Sequence, residues 1–255
     1  MIKACIFDLD GTLAYTLDSM AVVGNEVVRK YGLKPMPIEN YRYYCGNGAD
    51  MLVKRLLVDA GDPELLHYEE ARALYRKEFD KDPFYKIQHY PGMPETLKEL
   101  KKRGVKLGVC SNKPHEAAVK VVERMFGSQI FDAVMGQSDS VRKKPAPDGP
   151  LKIAEQFGIK PEECMYLGDS GTDMQTGKAA GMYTVGVLWG YMERTILWIL
   201  QRIFLIYMRK NAKSKILIII QHALNSYNFY YKTGGRKNVY RGVYSDIFGK
   251  TGAAF

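Results

Sequence analysis

Ala4-Cys5-Ile6-Phe7-Asp8-Leu9-Asp10-Gly11-Thr12-Leu13 is the stretch whose reading decides the fold. Its first four residues are apolar and predict a short buried strand. Two carboxylates follow at i and i+2, where the strand stops. In an extended chain both would face the same side, and Gly11 then lets the backbone turn. Carboxylates this close repel and raise each other's pKa unless a cation neutralises them. Hard oxygen donors of this kind suit Mg²⁺. The chemical reading is one Asp as nucleophile and the other as acid/base, with a metal between them and a substrate. The same residues also suit a plain strand ending in an Asp-Gly turn, so the rest of the chain must separate the two readings.

Outward from this stretch the chain first turns helical. Met20, Val23, Val27, Val28 and Tyr31 recur at spacings of three and four and predict a helix over 17–31. Further helices are expected over 51–60 and 63–79, making residues 15–85 a small all-helical unit. From Tyr90-Pro91-Gly92 the rhythm changes. Helices over 94–103, 114–125, 151–157 and 173–180 alternate with strands over 105–110, 130–135, 164–167 and 183–188. Ser111-Asn112-Lys113-Pro114 reads as the turn between a strand and a helix. Such alternation predicts an α/β fold, a Rossmann-like parallel sheet with helices on both faces. Ligands bind such sheets at the carboxyl ends of the strands, where the polar clusters of this chain collect. The expected organisation is an α/β core over 1–14 and 86–191, a helical unit over 15–85, and a separate stretch over 192–255.

The 255 residues, 46% hydrophobic, suffice for a full core. The net charge of +9 raises the question of a nucleic-acid partner, but its distribution argues against one. Residues 192–255 hold 11 basic and two acidic residues, leaving 26 of each in residues 1–191. The excess therefore belongs to the end of the chain, not to the body that carries the carboxylates. Cys5, Cys45, Cys110 and Cys164 are widely spaced, without C-x-x-C, and are expected as free thiols. No secretory leader precedes the first strand, so a reducing, cytoplasmic setting is expected. The four histidines show no ligand spacing.

Three more clusters join the Asp pair. Ser111-Asn112 after a strand offers a hydroxyl, an amide and backbone N–H groups to a phosphate, or an ordinary helix cap. Lys144, in Lys143-Lys144-Pro145-Ala146-Pro147, is a cation on a proline-stiffened loop, able to neutralise phosphate and nucleophile or simply solvated. Asp169 and Asp173, in Gly168-Asp169-Ser170-Gly171-Thr172-Asp173, can complete a Mg²⁺ site or serve a helix start. In this order and at these strand ends, the four clusters resemble the haloacid dehalogenase superfamily, in its phosphatase branch, over roughly residues 1–190. Asp8, Asp10 and Thr12 match the first motif, Ser111 the second, Lys144 the third, and Asp169 with Asp173 the fourth. The helical insert resembles that superfamily's cap. Gly46-Asn47-Gly48-Ala49-Asp50, Ser111-Asn112-Lys113, Lys144-Pro145-Ala146-Pro147 and Gly168-Asp169-Ser170 are similar to the phosphoglycolate phosphatase group.

The resemblance implies a Mg²⁺-dependent phosphomonoester hydrolase acting on a small phosphorylated metabolite such as 2-phosphoglycolate. It implies attack by Asp8 on phosphorus, proton transfer by Asp10, and Thr12, Ser111, Asn112 and Lys144 around the phosphate. It implies Mg²⁺ held by the Asp8 carboxylate, the Asp10 carbonyl and Asp169, with Asp173 orienting the site. An acid at position 10 separates such enzymes from the dehalogenases, whose halide leaves without a proton. Arg42, Asn47 and Lys54 of the insert are the candidates to touch a substrate carboxylate; a solvated helix face is the alternative. Sugar-phosphate, nucleotide or pyrophosphate hydrolysis, and phosphotransfer or mutase chemistry on the same fold, are the competing activities. Tyr15 departs from the family pattern, which commonly places an Asp there, at a position expected to serve the hinge of the cap.

Beyond Tyr191 the resemblance stops. The apolar runs at 196–200 and 203–208 are split by Gln201-Arg202 and fall short of a membrane span. A basic amphipathic surface helix within 195–220, an altered reading frame or fused segment, and an unusual native element are the three readings of 192–255. A non-catalytic protein binding an anionic surface through this stretch is the third class of function; the intact acidic and basic set in the body argues against it.

Overall fold

A computed structural model describes residues 2–82, 84–187 and 189–191, so the readings of 192–255 lie outside the described residues. In chain order the elements are β1 (Ala4–Phe7), β2 (Ala14–Tyr15), α1 (Leu17–Lys30), α2 (Tyr41–Tyr44), α3 (Ala49–Ala60), α4 (Tyr68–Phe79), β3 (Gln88–His89), α5 (Met93–Lys102), β4 (Lys106–Pro114), α6 (His115–Phe126), β5 (Ala133–Gln137), α7 (Asp148–Phe157), β6 (Cys164–Gly168), α8 (Gly171–Ala179) and β7 (Tyr183–Gly186). Five strands form one parallel sheet in the order β5-β4-β1-β6-β7. The α/β architecture is the one expected from the alternation of strand and helix.

Both faces of the sheet are covered, which is why β1 reads as an unbroken apolar run rather than an alternating one. Cys5 and Phe7 pack with Leu97, Leu100, Leu107 and Val121 on one side. Ala4 and Ile6 pack with Ile153, Ala154 and Tyr166 on the other. Each fully buried Leu or Ile here contributes roughly 1.5–3 kcal/mol. The helices α1 to α4 enclose an apolar cluster of their own, including Leu17, Val27, Tyr41, Leu56, Leu57 and Tyr75. Within it Tyr41 and Tyr44 are buried, while Tyr43 stands 55% exposed.

β1 lies between β4 and β6, with Phe7 in register with Val109 on one side and Leu167 on the other. Asp8 and Asp169, just past β1 and β6, and Ser111, in the last part of β4, therefore gather at the same edge. The strand order reverses at β1, and that is where a crevice opens in sheets of this kind.

Several boundaries differ from the sequence expectation, each for a local reason. α4 begins at Tyr68 rather than at 63. The buried Asp62 carboxylate accepts the N–H groups of Leu66 and His67, and Leu65 takes φ +57°, so residues 62–67 form a turn. Ser111-Asn112-Lys113-Pro114 is not a turn. The chain stays extended through Pro114, which pairs with Gln137 across an irregularity in register. β5 starts at Ala133, because Asp132 turns its carboxylate onto the Leu107 N–H. Ala14–Tyr15 and Gln88–His89 pair antiparallel where the chain enters and leaves the helical unit. Strands of two residues carry no period by which to find them.

Candidate active site

Asp8 leaves the end of β1, with its N–H bonded to the Leu167 carbonyl at 2.8 Å. Gly11 turns the chain back at φ +89°, and a Cβ there would stand 2.3 Å from Asp169 Oδ2. No L side chain meets both demands. Asp169 leaves β6, and Asp173 sits in the first turn of α8. There Ser170 and Asp173 form a reciprocal capping box. Carboxylate oxygens of Asp8, Asp169 and Asp173 lie within 4.8 Å of one another, and all three residues are buried.

One ammonium serves this cluster. Lys144 Nζ donates to Asp8 Oδ1 at 2.6 Å and to Asp173 Oδ1 at 2.7 Å. Burial first, then the Asp173 charge, push the Asp8 carboxyl up to about 7, against the pull of Lys144. Burial, Asp173 and Asp8 raise Asp169 well above the usual carboxylate range. For Lys144 burial works to lower the pKa, but Asp173 and Asp8 outweigh it and hold the amine charged. Three carboxylates against one ammonium leave a net deficit that a divalent cation balances.

The donor set favours Asp8 and Asp169 as ligands. Both Asp173 oxygens are already engaged, Oδ1 by Lys144 and Tyr166 and Oδ2 by the N–H and hydroxyl of Ser170. Asp8 Oδ2 and Asp169 Oδ1 carry no partner among the described residues, whereas Asp169 Oδ2 accepts the Tyr191 N–H at 2.7 Å. Hard oxygens with open lone pairs fit Mg²⁺. Asp173 thus fixes Lys144 and the loop around the cluster instead of offering a free oxygen to an ion.

Asp10 turns elsewhere. Lys113 Nζ reaches both of its carboxylate oxygens at 3.0 Å, and the Thr16 hydroxyl donates to Oδ1 at 2.8 Å. Asn112 borders the cavity described next, but its side-chain amide is engaged by the loop. Its amide oxygen accepts the Lys144 N–H, and its NH₂ donates to the Lys144 and Gly46 carbonyls. This side chain positions Lys144 and touches the helical unit, so it has no free group for the phosphate that the sequence assigned to it. The Thr12 hydroxyl is fully buried, without a partner, and does not border the cavity described next.

A cavity of about 70 Å³ is lined by Asp8, Asp10, Ser111, Lys113 and Lys144, and by Met20, Cys45, Leu52, Tyr75 and Phe79 of the helical unit. Of the insert candidates, Asn47 stands between Gly46 and Gly48, which line the cavity, and bridges the Thr172 hydroxyl and the Arg55 guanidinium. Arg42 is exposed on α2, and Lys54 lies over the Tyr68 ring, 4.7 Å from its centroid. Neither borders the cavity. The four cysteines are free, as expected, and Cys45 is the one lining the cavity. Tyr15 donates to Asp18, and its ring meets Tyr90 and Tyr191 edge-on where the chain enters the helical unit.

Two contributors escaped the sequence reading. Lys113 was visible only as part of Ser111-Asn112-Lys113. Trp189-Gly190-Tyr191 stood where the resemblance fades. Yet Trp189 Nε1 donates to the Thr12 carbonyl, and the Tyr191 hydroxyl lies 2.6 Å from the Thr16 N and 2.9 Å from the Thr16 hydroxyl.

Residues 5–187 match the profile of haloacid dehalogenase-like hydrolases. The chain belongs to this family. Over 191 residues it is 34% identical to a phosphoglycolate phosphatase of Aquifex aeolicus, covering 75% of this chain and 87% of the relative. A phosphoglycolate phosphatase of Pseudomonas putida is 32% identical over 192 residues, covering 74% and 70%. Among solved structures, CbbY from Rhodobacter sphaeroides in complex with phosphate superposes with a TM-score of 0.63 at 26% identity, covering 76% of this chain and 90% of that one. Within the haloacid dehalogenase-like family this chain is a phosphatase-type enzyme. No helix among its described residues is long and apolar enough to cross a membrane.

Proposed function

We propose that this protein is a Mg²⁺-dependent phosphomonoester hydrolase working through an aspartyl-phosphate on Asp8, with 2-phosphoglycolate the first substrate to test. The observation that carries the reading is the buried Asp8, Asp169 and Asp173 cluster, short of positive charge, at the edge of a cavity that also holds Ser111 and Lys144. Phosphoryl transfer asks mainly for positioning and charge neutralisation, and these residues supply both.

Mg²⁺, when bound by Asp8, Asp169 and the Asp10 carbonyl that the family resemblance implies, neutralises charge on the phosphoryl oxygens. Lys144 holds Asp8 by Oδ1, which fixes the carboxylate at the wall of the cavity. Asp8 attacks phosphorus, an O–P bond forms, and the bond to the alcohol oxygen breaks. Asp10 donates its proton to that oxygen. It then takes a proton from water, whose oxygen displaces Asp8 from phosphorus and releases phosphate. Ser111 and Lys144 bind phosphoryl oxygens, while Asn112 and Asp173 hold Lys144 in place. The helical unit over 15–85 acts as a cap, closing an apolar wall over the site and excluding water.

The cavity argues for a small substrate. At about 70 Å³ it is far below the roughly 300–1,000 Å³ of sites for drug-sized ligands. A phosphotransferase or mutase would have to turn a phosphorylated intermediate inside it. Inorganic phosphate release from 2-phosphoglycolate, measured with and without Mg²⁺ for the unmodified chain and Asp8→Asn, tests the reading. The expected result is Mg²⁺-dependent release that Asp8→Asn abolishes. Undiminished turnover by Asp8→Asn would remove Asp8 as nucleophile.

A further inference from the structure

The reaction above uses one cation of the site, and the cavity holds two. Lys113 comes off β4 two residues after Ser111 and lines the same cavity, with its side chain only 5% exposed. Residues two apart along a strand are separated by roughly 6.6 Å, so a second anion-binding point stands a short step from the phosphate side. Lys113 Nζ lies 5.0 Å from the Phe79 ring centroid, and Met20, Leu52 and Tyr75 continue that wall. A buried ammonium against an apolar wall is costly unless paired. Its partner here is Asp10, through both carboxylate oxygens. That pair engages the very carboxylate which the proposed reaction needs at the leaving oxygen.

Resting on the phosphatase reading, we propose that Lys113 is the specificity-determining residue of this enzyme. It takes the carboxylate of a phosphomonoester whose acid group lies one or two carbons from the ester oxygen. The incoming carboxylate replaces Asp10 at Lys113, so that filling the site releases the acid/base from its ion pair. Asp10 keeps the Thr16 hydroxyl, 2.8 Å from Oδ1, as the contact that holds it near the reacting atoms. A carboxylate fits better than a second phosphate. One ammonium neutralises one charge, and a phosphate dianion facing Phe79 and Leu52 would keep an uncompensated one. Arg42 and Lys54, the cations that the sequence suggested for this task, do not border the cavity.

The test compares the unmodified full chain, Lys113→Met and Lys113→Arg in saturating Mg²⁺, on 2-phosphoglycolate and on ethyl phosphate, an ester of the same length that lacks the carboxylate. Losing a hydrogen bond to a charged group corresponds to roughly ten- to a hundredfold. Lys113→Met should therefore lower kcat/KM for phosphoglycolate ten- to a hundredfold more than for ethyl phosphate, with the difference mainly in KM. Lys113→Arg, which keeps the charge, should retain most of the discrimination, and cooperative thermal unfolding of both variants reports on their folding. Equal losses on the two esters would overturn the proposal, because Lys113 would then serve only to hold Asp10. Unchanged discrimination would overturn it as well. Failure of the unmodified chain to hydrolyse either ester overturns the phosphatase reading itself, a different result from either of these.

Discussion

Removing divalent cations should leave a protein that grows more stable as the pH falls from 8 to 5. The Asp8 carboxyl, pushed up to about 7 by burial and then by Asp173, keeps its proton in the folded chain where the unfolded chain, at about 3.9, has lost it. Between these values the folded state binds more protons, so stability falls as pH rises. Three units correspond to about 4 kcal/mol in all, and the part crossed between pH 8 and pH 5 to about 2–3 kcal/mol. Asp169 is raised too and adds in the same sense. Asp62 and Asp132 are held below the usual carboxylate range, so their contribution is lost only under more acid conditions. Urea unfolding in EDTA at pH 5, 6, 7 and 8 reads the effect, with Asp8→Asn as reference because it lacks the titrating group. The wild-type curve should fall below that of Asp8→Asn as the pH rises, and saturating Mg²⁺ should lift it again at pH 8 by favouring the ionised cluster. Parallel pH curves for the two proteins in EDTA would refute the account, since Asp8 would then be ionised without penalty.

Three other perturbations test the surroundings. Lys144→Met leaves Asp8 and Asp173 buried without their ammonium. It should cost about 3–5 kcal/mol at pH 8 in EDTA, read from urea midpoints, and Mg²⁺ should recover part of the loss. Gly190→Ala would set a Cβ 2.3 Å from Asp169 Cβ and Oδ2. The displaced ligand should weaken the Mg²⁺ dependence of phosphate release by roughly ten- to a hundredfold. Tyr191→Phe removes the hydroxyl that meets Thr16 but keeps the N–H bond to Asp169. It should cost about 1–3 kcal/mol of stability, because a buried Thr16 N–H loses its partner, with little change in the Mg²⁺ requirement.

The fold was legible because its signals are local. An apolar run, a turn residue and a helix period each act within a few residues, and β1, α1, α3, α5, α6 and β6 all begin or end within about two residues of the expectation. The acidic cluster was legible for a related reason. In a parallel sheet the strand ends share one edge, so Asp8, Ser111 and Asp169 converge once their strands are found. What side chains do on that edge was less so. Asn112 looked like a phosphate ligand because an amide after a strand suits an anion, yet its amide is fully engaged by the Lys144 loop and Gly46. Arg42 and Lys54 looked equivalent to any cation of the insert. Only packing shows that Arg42 faces solvent and that Lys54 lies on Tyr68. Lys113, which does line the cavity, comes from the sheet instead.

The hardest part to read lay where the chain changes character. The family profile ends at residue 187, and composition and charge shift after 191, so Trp189-Gly190-Tyr191 are the last residues expected in the core and carry no motif of their own. These residues instead start a chain of contacts along the site. The Tyr191 N–H bonds to Asp169, its hydroxyl meets Thr16, the Thr16 hydroxyl donates to Asp10, and Asp10 pairs with Lys113. Apart from the bond between Thr16 and Asp10, each joins parts of the chain far apart in number, so no short window of sequence contains two consecutive links. Tyr191 also sets its ring against Tyr15, where the family commonly carries an acid. An acid there would bring a charge to this contact, whereas here Tyr15 meets Tyr90 and Tyr191 through ring edges and donates to Asp18. The departure at position 15 and the burial of Tyr191 are thus one feature, an aromatic contact in place of an acid, and it leaves the carboxylates at positions 8 and 10 untouched.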